Sequence, residues 1–485
     1  MSSTTSVTGV VSFEEARQIV EEHAARVLAA RFDLVATENL DLLAARGRVL
    51  AEAIVADRDF PPFARATRDG YAVRAADVEQ VPARLEVVGE IKAGDRAGKI
   101  SVDRGQAVSI MTGAPLPAGA DAVVMVEYTA DVSRPDGAPN ATSGWGTLGH
   151  SSVASRENPF GAPHEHEIRV IEVQRSVQSG ENFVPRATEA RAGQLLVDQG
   201  RRLDHALIAM AAAAGKSRVQ VFRKPRVAVL STGDELVEIG VTPGPSQIRN
   251  SNSYSLAAQI EEAGGEPVRL AIAPDEPARL RALIEEGLEC DMLLLTGGVS
   301  MGKYDLVEQV LGELKAEFYF TGAKIQPGKP VVFGSCGACA LARVPAEEAQ
   351  PARTKPALSD PEFREGESKG VSAPHYFLGL PGNPVSTMVT FRLFAQPIIA
   401  ALAGARPEPL IFLKARLKAE VRTKTGLTRF LPAVLSGQFD GAEVELAAWQ
   451  GSGDIAALAR ANCYLVVPPD RERIEVGESV SVLLP

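Results

Sequence analysis

Each of four short apolar runs between residues 223 and 403 is followed by an acidic side chain or by a rigid Gly/Pro turn. The runs are Arg226–Leu230, Val268–Ile272, Met292–Leu295 and Tyr376–Leu380. They are followed, in that order, by Glu235, by Asp275, by Asp305 and by the turn Pro381–Pro384. Because the carboxyl ends of parallel strands meet at one edge of a sheet, we expect these groups to lie together at a ligand site.

The stretch after the third run contains the backbone and charges needed to bind an oxyanion. A Gly-Gly turn at Gly297 and Gly298 lets backbone N–H groups point at a phosphate, and Ser300 adds a hydroxyl donor. Lys303 and Lys329 supply counter-charges. Carboxylates in the same place would repel the oxyanion unless a divalent cation lies between them, and Mg²⁺ is the usual choice.

We therefore predict that Asp305 helps to hold a divalent cation beside a phosphate. The structural alternative for Asp275 is a helix N-cap, because Glu276 and Pro277 follow it. By themselves these residues support phosphate chemistry only in general terms, since the chain has neither a Walker loop nor a dinucleotide fingerprint.

Composition excludes several classes of protein. The chain has 485 residues, a net charge of −10 and a pI near 5.4, which argues against binding to nucleic acid. The N-terminus lacks the pattern of a secretory signal, and no apolar run approaches the roughly 20 residues of a membrane span. We expect a cytoplasmic protein with several domains, no membrane association and reduced cysteines.

Periodicity divides the chain into regions of different structure. Ser12 and Glu15 form a capping box before a predicted amphipathic helix, and a second apolar-periodic segment covers about residues 40–56. Short apolar runs from Pro61 onward predict a small β domain, and alternation after residue 404 predicts another. Helical patterns at Ser253–Ala263 and Glu276–Gly287 alternate with the apolar runs, which indicates a parallel α/β sheet. Residues 131–166 and 344–374 have the composition of flexible insertions.

Six motifs occur together and in order. They are Pro61-Pro-Phe63 with Asp69-Gly-Tyr-Ala-Val73, Met111-Thr-Gly-Ala-Pro-Leu-Pro117 with Gly119–Glu127, Ser231-Thr-Gly-Asp-Glu-Leu236, Gly297-Gly-Val-Ser-Met-Gly302, Pro327-Gly-Lys-Pro330 and Leu380-Pro-Gly-Asn-Pro384. In these motifs the chain resembles the molybdopterin molybdenumtransferases, the MoeA and gephyrin E-domain family. The resemblance covers nearly the whole chain apart from the two insertions.

The resemblance implies an elongated homodimer of four-domain subunits. The expected fold is multidomain α/β, with a central doubly wound, mostly parallel, MogA-like domain, an N-terminal helical linker domain, an inserted small β domain and a C-terminal β-barrel-like domain. The corresponding boundaries are 1–57 with 187–222 for the linker domain, 58–186 for the inserted domain, 223–403 for the molybdopterin-binding domain, and 404–485 for the C-terminal domain.

The resemblance also implies a reaction and a set of site residues. Molybdate is inserted into the dithiolene of adenylylated molybdopterin with Mg²⁺, and AMP is released; a molybdopterin adenylyltransferase is the expected upstream partner. The family's acidic positions fall on Glu235, Asp275 and Asp305. The resemblance implies that Asp275 and Asp305 bind Mg²⁺ and the phosphates and that Glu235 acts beside them. The family's threonine falls on Thr112, which would approach from the second subunit. Its prolines fall on Pro381 and Pro384, with Asn383 between them.

Several positions depart from the family pattern, mainly on the anion-binding side. They are Ala64, Val184, Glu189, Asn250, Gly322 and Gln326. Lys324 could substitute for a lost charge because a lysine side chain is long and flexible. Two alternatives therefore stay open: a homologue that uses tungstate, and a pterin-binding scaffold that has lost catalysis.

Overall fold

A computed structural model describes residues 9–31, 36–96, 98, 100–133, 168–297, 306–337, 375–406, 408–439 and 441–485. The chain folds into two compact units, one formed by residues 1–52, 199–209 and 217–485, the other by residues 53–198 and 210–216. Four predicted site residues, Gly298, Ser300, Lys303 and Asp305, lie outside the described residues, as does most of each predicted insertion.

The N-terminal segment begins with β1 (Val10–Val11), α1 (Phe13–Arg31) and β2 (Thr37–Asp41). The predicted capping box forms, because the Glu15 N–H donates to Ser12 Oγ at 3.1 Å and the Ser12 N–H donates to Glu15 Oε2 at 2.8 Å. The apolar-periodic segment at residues 40–56 contains no helix. Its backbone turns after Asp41, whose side chain accepts from the Leu43 N–H, and Gly47 takes a positive φ of 75°.

The second unit is a β domain, as predicted. Its strands are β3 (Ile54–Val55), β4 (Arg65–Ala66), β5 (Gly70–Val73), β6 (Ala83–Ile91), β7 (Gln106–Ile110), β8 (Ala122–Met125), β9 (Thr129–Asp131), β10 (Val170–Val173), β11 (Phe183–Val184) and β12 (Leu195–Val197), with single 3₁₀ turns at Ala75–Val78 and Val126–Tyr128. Six of them form one sheet in the order β8-β5-β7-β6-β10-β9.

The chain then forms the predicted α/β domain. After α2 (His205–Ala213) and β13 (Arg218–Phe222), the elements are β14 (Arg226–Ser231), β15 (Leu236–Val237), β16 (Ile248–Arg249), α3 (Asn252–Ala263), β17 (Glu266–Arg269), α4 (Pro277–Gly287), β18 (Met292–Thr296), α5 (Leu306–Glu313), β19 (Glu317–Phe320), β20 (Gly322–Ala323), β21 (Ile325–Gln326), β22 (Val332–Cys336), β23 (His375–Leu380), α6 (Pro384–Thr390), a π-helical turn (Phe391–Ala395) and α7 (Gln396–Leu402).

Six strands of this domain form a mixed sheet in the order β17-β14-β18-β23-β22-β19. The first four are parallel, and the last two are antiparallel to their neighbours. Side chains alternate along β14: Val227 and Val229 pack with α1, α3, α6 and α7, whereas Ala228 and Leu230 pack with α4 and α5. Both faces are therefore covered, as in doubly wound folds.

The helical stretch from Pro384 to Leu402 is, by length and composition, long and apolar enough to cross a membrane. No such stretch was expected from the sequence. About two thirds of its most apolar 18-residue window, 67%, is buried inside the fold. A core helix passes the same test, and Val389, Phe394 and Ile398 of this stretch lie in the main hydrophobic core.

The C-terminal region contains a closed barrel. Its strands are β24 (Phe412–Leu417), β25 (Val421–Arg422), β26 (Thr428–Gln438), β27 (Gly441–Leu446), β28 (Cys463–Val467), β29 (Arg473–Ile474) and β30 (Ser479–Leu483), with α8 (Ile455–Arg460) between β27 and β28. The order β26-β27-β24-β30-β28 returns to β26, because β26 also pairs with β28. Closure leaves these five strands with two neighbours each, and β26 also pairs with β21 of the α/β domain.

Candidate functional site

A cavity of about 620 Å³ lies at the carboxyl ends of β14, β18 and β23. The first two strands are neighbours, and the chain order reverses between them, so the cavity occupies the switch point of the doubly wound sheet. Five residues singled out from the sequence line it: Glu235, Gly297, Pro381, Asn383 and Pro384.

Gly297 holds the loop after β18 against the loop after β14. Its φ is +89°, and a Cβ atom at this position would lie 2.4 Å from the carbonyl oxygen of Thr232. The Thr232 N–H in turn donates to Thr296 O at 3.0 Å. Only glycine allows both the left-handed backbone and this approach, so the first glycine of the predicted turn is a structural requirement of the cavity wall.

A buried amide network supports the cavity from α3. Asn252 Nδ2 donates to Gly382 O at 2.7 Å, to Thr296 Oγ1 at 3.0 Å and to Thr387 Oγ1 at 3.3 Å. Because a backbone carbonyl can only accept, Gly382 fixes which end of the amide is nitrogen. The Asn252 Oδ1 atom is consequently an acceptor that points away from this network.

Two buried polar atoms on the cavity wall have no hydrogen-bond partner among the described residues. They are Asn252 Oδ1 and Thr232 Oγ1, and both residues line the cavity. Leaving a buried polar atom unpaired costs about 1–3 kcal/mol, so native proteins rarely do so without a ligand or water. These two atoms therefore suit a ligand that carries hydrogen-bond donors.

Acidic side chains gather at the loops after β14 and β17. The Asp275 N–H donates to Asp234 Oδ1 at 3.2 Å, which joins the two loops. Partial burial and the charges of Asp234 and Glu235 raise the pKa of Asp275 above its ordinary value. The carboxylates repel one another, which is the electrostatic setting that a bound divalent cation relieves.

The residues that the structure describes contain no complete metal site. Among them, no three Asp, Glu, His or Cys side chains converge closely enough to hold a metal ion, and Asp305 lies outside them. The acids present offer hard oxygen ligands without His or Cys, a donor set that suits Mg²⁺. Asp275 itself does not line the cavity.

Two further predicted residues lie apart from the cavity lining. Lys329 is exposed and makes no ion pair with a described residue, while its neighbour Pro330 lines the cavity. Thr112 belongs to the β-domain unit, where its N–H donates to Asp69 Oδ1 at 2.7 Å and its side chain is exposed.

Four buried polar residues form part of the cavity wall: Ser231, Thr232, Asn250 and Thr296. The motifs and departures read from the sequence included the first three without assigning them to the wall, and Thr296 was missed. Ser231 Oγ donates to Asn250 Oδ1 at 3.1 Å. For Ser231 and Thr296 the available signal was a polar residue at the very end of a buried strand, where an apolar residue would otherwise be expected. Arg429, opposite Gln326 in the β21–β26 pairing, was also missed; it is buried and makes no ion pair with the described residues.

Comparisons with known proteins agree with this fold. Three families match consecutive parts of the chain: MoeA N-terminal region (domains I and II) at residues 11–215, a probable molybdopterin binding domain at 228–401, and MoeA C-terminal region (domain IV) at 414–484. The second match contains most of the residues that line the cavity at the sheet switch point, and Gly453 and Ile455 of the third match line it as well. The chain is therefore a multidomain protein with a probable molybdopterin binding domain.

Curated relatives specify the protein further. The molybdopterin molybdenumtransferase of Nostoc sp. is 33% identical over 455 residues, covering 92% of this chain and 88% of the relative. That of Bacillus subtilis is 30% identical over 442 residues, covering 90% and 87%. The molybdopterin biosynthesis MoeA protein of Pyrococcus horikoshii, a crystal structure, is 27% identical with a TM-score of 0.67 and covers 98% of this chain and 100% of that chain. The chain belongs to the molybdopterin molybdenumtransferase (MoeA) family, and it is a transferase of molybdenum cofactor biosynthesis.

Proposed function

We propose that this transferase inserts molybdate into the dithiolene of adenylylated molybdopterin, with Mg²⁺ present, and releases AMP. The observation that carries the proposal is the cavity at the sheet switch point, with its two unpartnered polar atoms and the neighbouring acidic loops. A pterin carries N–H donors for Asn252 Oδ1 and Thr232 Oγ1, and the adenylate carries phosphates for backbone donors and a cation.

Each predicted site residue would have a role that follows from its chemical type. Asp275 and Asp305 would hold Mg²⁺, which would supply positive charge to the phosphate, and Glu235 would act beside them on the cavity wall. Gly297, Gly298 and Ser300 present N–H and O–H donors to the phosphate oxygens, with Lys303 and Lys329 as counter-charges. When the two Mo–S bonds form, one Mo–O bond of molybdate breaks, and that oxide leaves as water with the two thiol protons. A second water cleaves the phosphoanhydride, so that AMP leaves and the pterin keeps its own phosphate.

We further propose a cytoplasmic homodimer that receives adenylylated molybdopterin from a molybdopterin adenylyltransferase. In this arrangement Thr112 reaches the site from the β domain of the second subunit. Support comes from the exposure of Thr112 and from its backbone hydrogen bond to Asp69, which orders the loop that presents it.

The test is AMP release from adenylylated molybdopterin by the purified full-length chain, with Mg²⁺ and either molybdate or tungstate. Release that requires both Mg²⁺ and molybdate supports the proposal. Release of AMP with tungstate but not with molybdate would identify a tungsten-using homologue. Tight binding of the substrate without AMP release, at any concentration of either oxyanion, would identify a scaffold.

A further inference from the structure

A second cavity, of about 230 Å³, lies between α3, the α6–α7 helical stretch, α8 and β28. Its wall shares no residue with the wall of the first cavity. The wall contains apolar and polar side chains, including one acidic residue. Phe391, Met388 and Leu458 provide apolar surface, and the polar groups are Gln259, Glu262, Arg392, Gln396 and Tyr464. The proposed function uses none of these residues.

The polar groups of this second cavity are incompletely paired. Within the described parts of the chain, four buried side-chain polar atoms lack a partner; two belong to the first cavity, and the other two, Gln259 Oε1 and Arg392 Nε, belong to the second. The same physical reason applies at both places, because unpaired buried atoms on a cavity wall favour a bound molecule that pairs them.

The charge of Arg392 indicates an anion. Its guanidinium forms no ion pair with the described residues, and one of its other nitrogens, Nη1, donates to Gln396 Oε1 at 2.6 Å. Burial and the nearby charge of Arg17 lower the pKa of Arg392, an effect that Tyr464, Glu262 and Glu408 partly oppose. What the Nε–H lacks is a hydrogen-bond acceptor, and a carboxylate there would form a charge-assisted hydrogen bond.

Tyr464 supplies a second donor for the same anion. Its side chain is buried, and its hydroxyl makes no hydrogen bond with any residue that the structure describes. Burial raises the pKa of Tyr464 to about 12, so the hydroxyl stays protonated at neutral pH and can donate.

Gln259 requires the opposite kind of group. Its Nε2 donates to Met388 O at 3.3 Å, and because a carbonyl only accepts, the amide orientation is fixed with Oε1 as an unpaired acceptor. The bound molecule must therefore also carry a hydrogen-bond donor. Its remaining surface must be apolar to contact Phe391 and Met388.

We propose that this cavity binds a small organic carboxylate that carries a hydrogen-bond donor and an apolar body between the two. The carboxylate accepts from Arg392 Nε–H and the Tyr464 hydroxyl, and the donor pairs with Gln259 Oε1. This binding is separate from the proposed transfer reaction, and it neither requires nor tests that reaction.

The test uses 4-hydroxyphenylacetate as the probe, with calorimetry on the full-length chain. Two matched probes remove one group each: phenylacetate lacks the donor, and 2-(4-hydroxyphenyl)ethanol lacks the carboxylate. We expect a Kd of about 1 mM or tighter for the complete probe. Loss of the carboxylate should weaken binding at least about tenfold, and loss of the hydroxyl about three- to tenfold.

Variants then assign the contacts. Gln259→Leu should remove the difference between 4-hydroxyphenylacetate and phenylacetate, whereas Arg392→Met should abolish binding of both. If Arg392→Met fails to fold, Arg392→Lys keeps the charge but loses the Nε–H, and it should weaken binding about tenfold at an unchanged melting temperature. Thr232→Val, in the other cavity, should leave probe affinity unchanged.

Three outcomes would overturn the proposal. They are absence of binding at about 10 mM probe, equal affinities for the three probes, and crystallographic density for the probe away from Arg392. None of these outcomes bears on AMP release from adenylylated molybdopterin, which is measured in a separate assay. The two proposals can therefore fail independently.

Discussion

Asn252 Nδ2 lies 2.7 Å from the carbonyl oxygen of Gly382, which ties the first residue of α3 to the turn after β23. This bond brings a helix and a loop separated by 130 residues to the same cavity wall, and it fixes the orientation of the Asn252 amide. It follows that Asn252 has two functions: its nitrogen holds the wall together, and its oxygen is left for a ligand.

Replacing Asn252 by Asp should damage both functions. The new carboxylate oxygen would face Gly382 O, Thr296 Oγ1 and Thr387 Oγ1. The Gly382 carbonyl oxygen would therefore lose its hydrogen-bond donor and meet a negative charge. We expect a loss of about 1–3 kcal/mol in the free energy of unfolding, measured by urea denaturation. An unchanged unfolding midpoint would show that this network does not support the wall.

Thr232→Val should separate ligand binding from stability. Valine has the same shape but lacks the buried, unpartnered Oγ1, so stability should be unchanged or slightly higher. Affinity for adenylylated molybdopterin should fall about three- to tenfold, because the ligand loses the hydroxyl group that accepts its hydrogen bond. Thr232→Ser retains the hydroxyl and should bind like the parent; equal affinity in the valine and serine variants would contradict the assignment.

Gly297→Ala should displace the loop after β18. The added methyl group would lie 2.4 Å from Thr232 O at a φ of +89°, a clash with backbone that a side-chain rotation cannot relieve. We expect AMP release to fall by about two orders of magnitude or more, since a displacement of about 1 Å at a reacting centre can have that effect. Gly312→Ala is the matched control, because Gly312 is exposed in α5 with open space around it, and it should be neutral or mildly stabilising.

Asp275→Asn should reduce Mg²⁺-dependent AMP release strongly while leaving the fold intact, because Asp275 is exposed on a loop outside the sheet. Since partial burial and the charges of Asp234 and Glu235 raise the pKa of Asp275, the parent should lose Mg²⁺ affinity on acidification at a higher pH than an isolated aspartate would. Titration of Mg²⁺ activation at several pH values measures both effects. Glu286→Ala, on the exposed side of α4, is the control, and equal loss in both variants would refute a specific role for Asp275.

His23 should make stability depend on pH. It is buried, it stacks on Tyr319 with ring centroids 3.9 Å apart, and burial lowers its pKa from 6.5 to about 4. The unfolded chain therefore binds this proton at higher pH than the folded chain, so the contribution is complete above about pH 6.5 and is lost as the pH falls toward 4.

We expect this contribution to the free energy of unfolding to fall by about 3 kcal/mol as the pH is lowered from 6.5 to 4. The free energy of unfolding is measured against pH for the parent and for His23→Phe. Because the other titrating groups are the same in both proteins, the difference between the two profiles reports on His23. Phenylalanine keeps the aromatic stack but cannot take up a proton. Parallel pH profiles in the two proteins would show that His23 is not the responsible group.

The sequence by itself determined the local elements and the order of the motifs. The capping box at Ser12, the helix at Ser253–Ala263 and the runs that became β14, β18 and β23 are visible because their apolar periodicity and end signals act over a few residues. The position of Glu235, Gly297 and Pro381 at strand ends was likewise readable, since parallel topology places such residues at one edge.

Only the tertiary structure decided which polar atoms remain unpaired. Thr232, Asn252, Gln259 and Arg392 look like ordinary helix or loop residues in sequence, and their state depends on hydrogen bonds to distant residues such as Gly382 and Met388. The apolar spacing at residues 40–56 is explained by tertiary contacts for the same reason. Val49 and Leu50 are buried, and they form isolated β-bridges with the distant residues Arg202 and Val221 instead of a helix. Hydrogen-bond satisfaction and burial are sums over the whole fold, whereas periodicity is a property of a short segment.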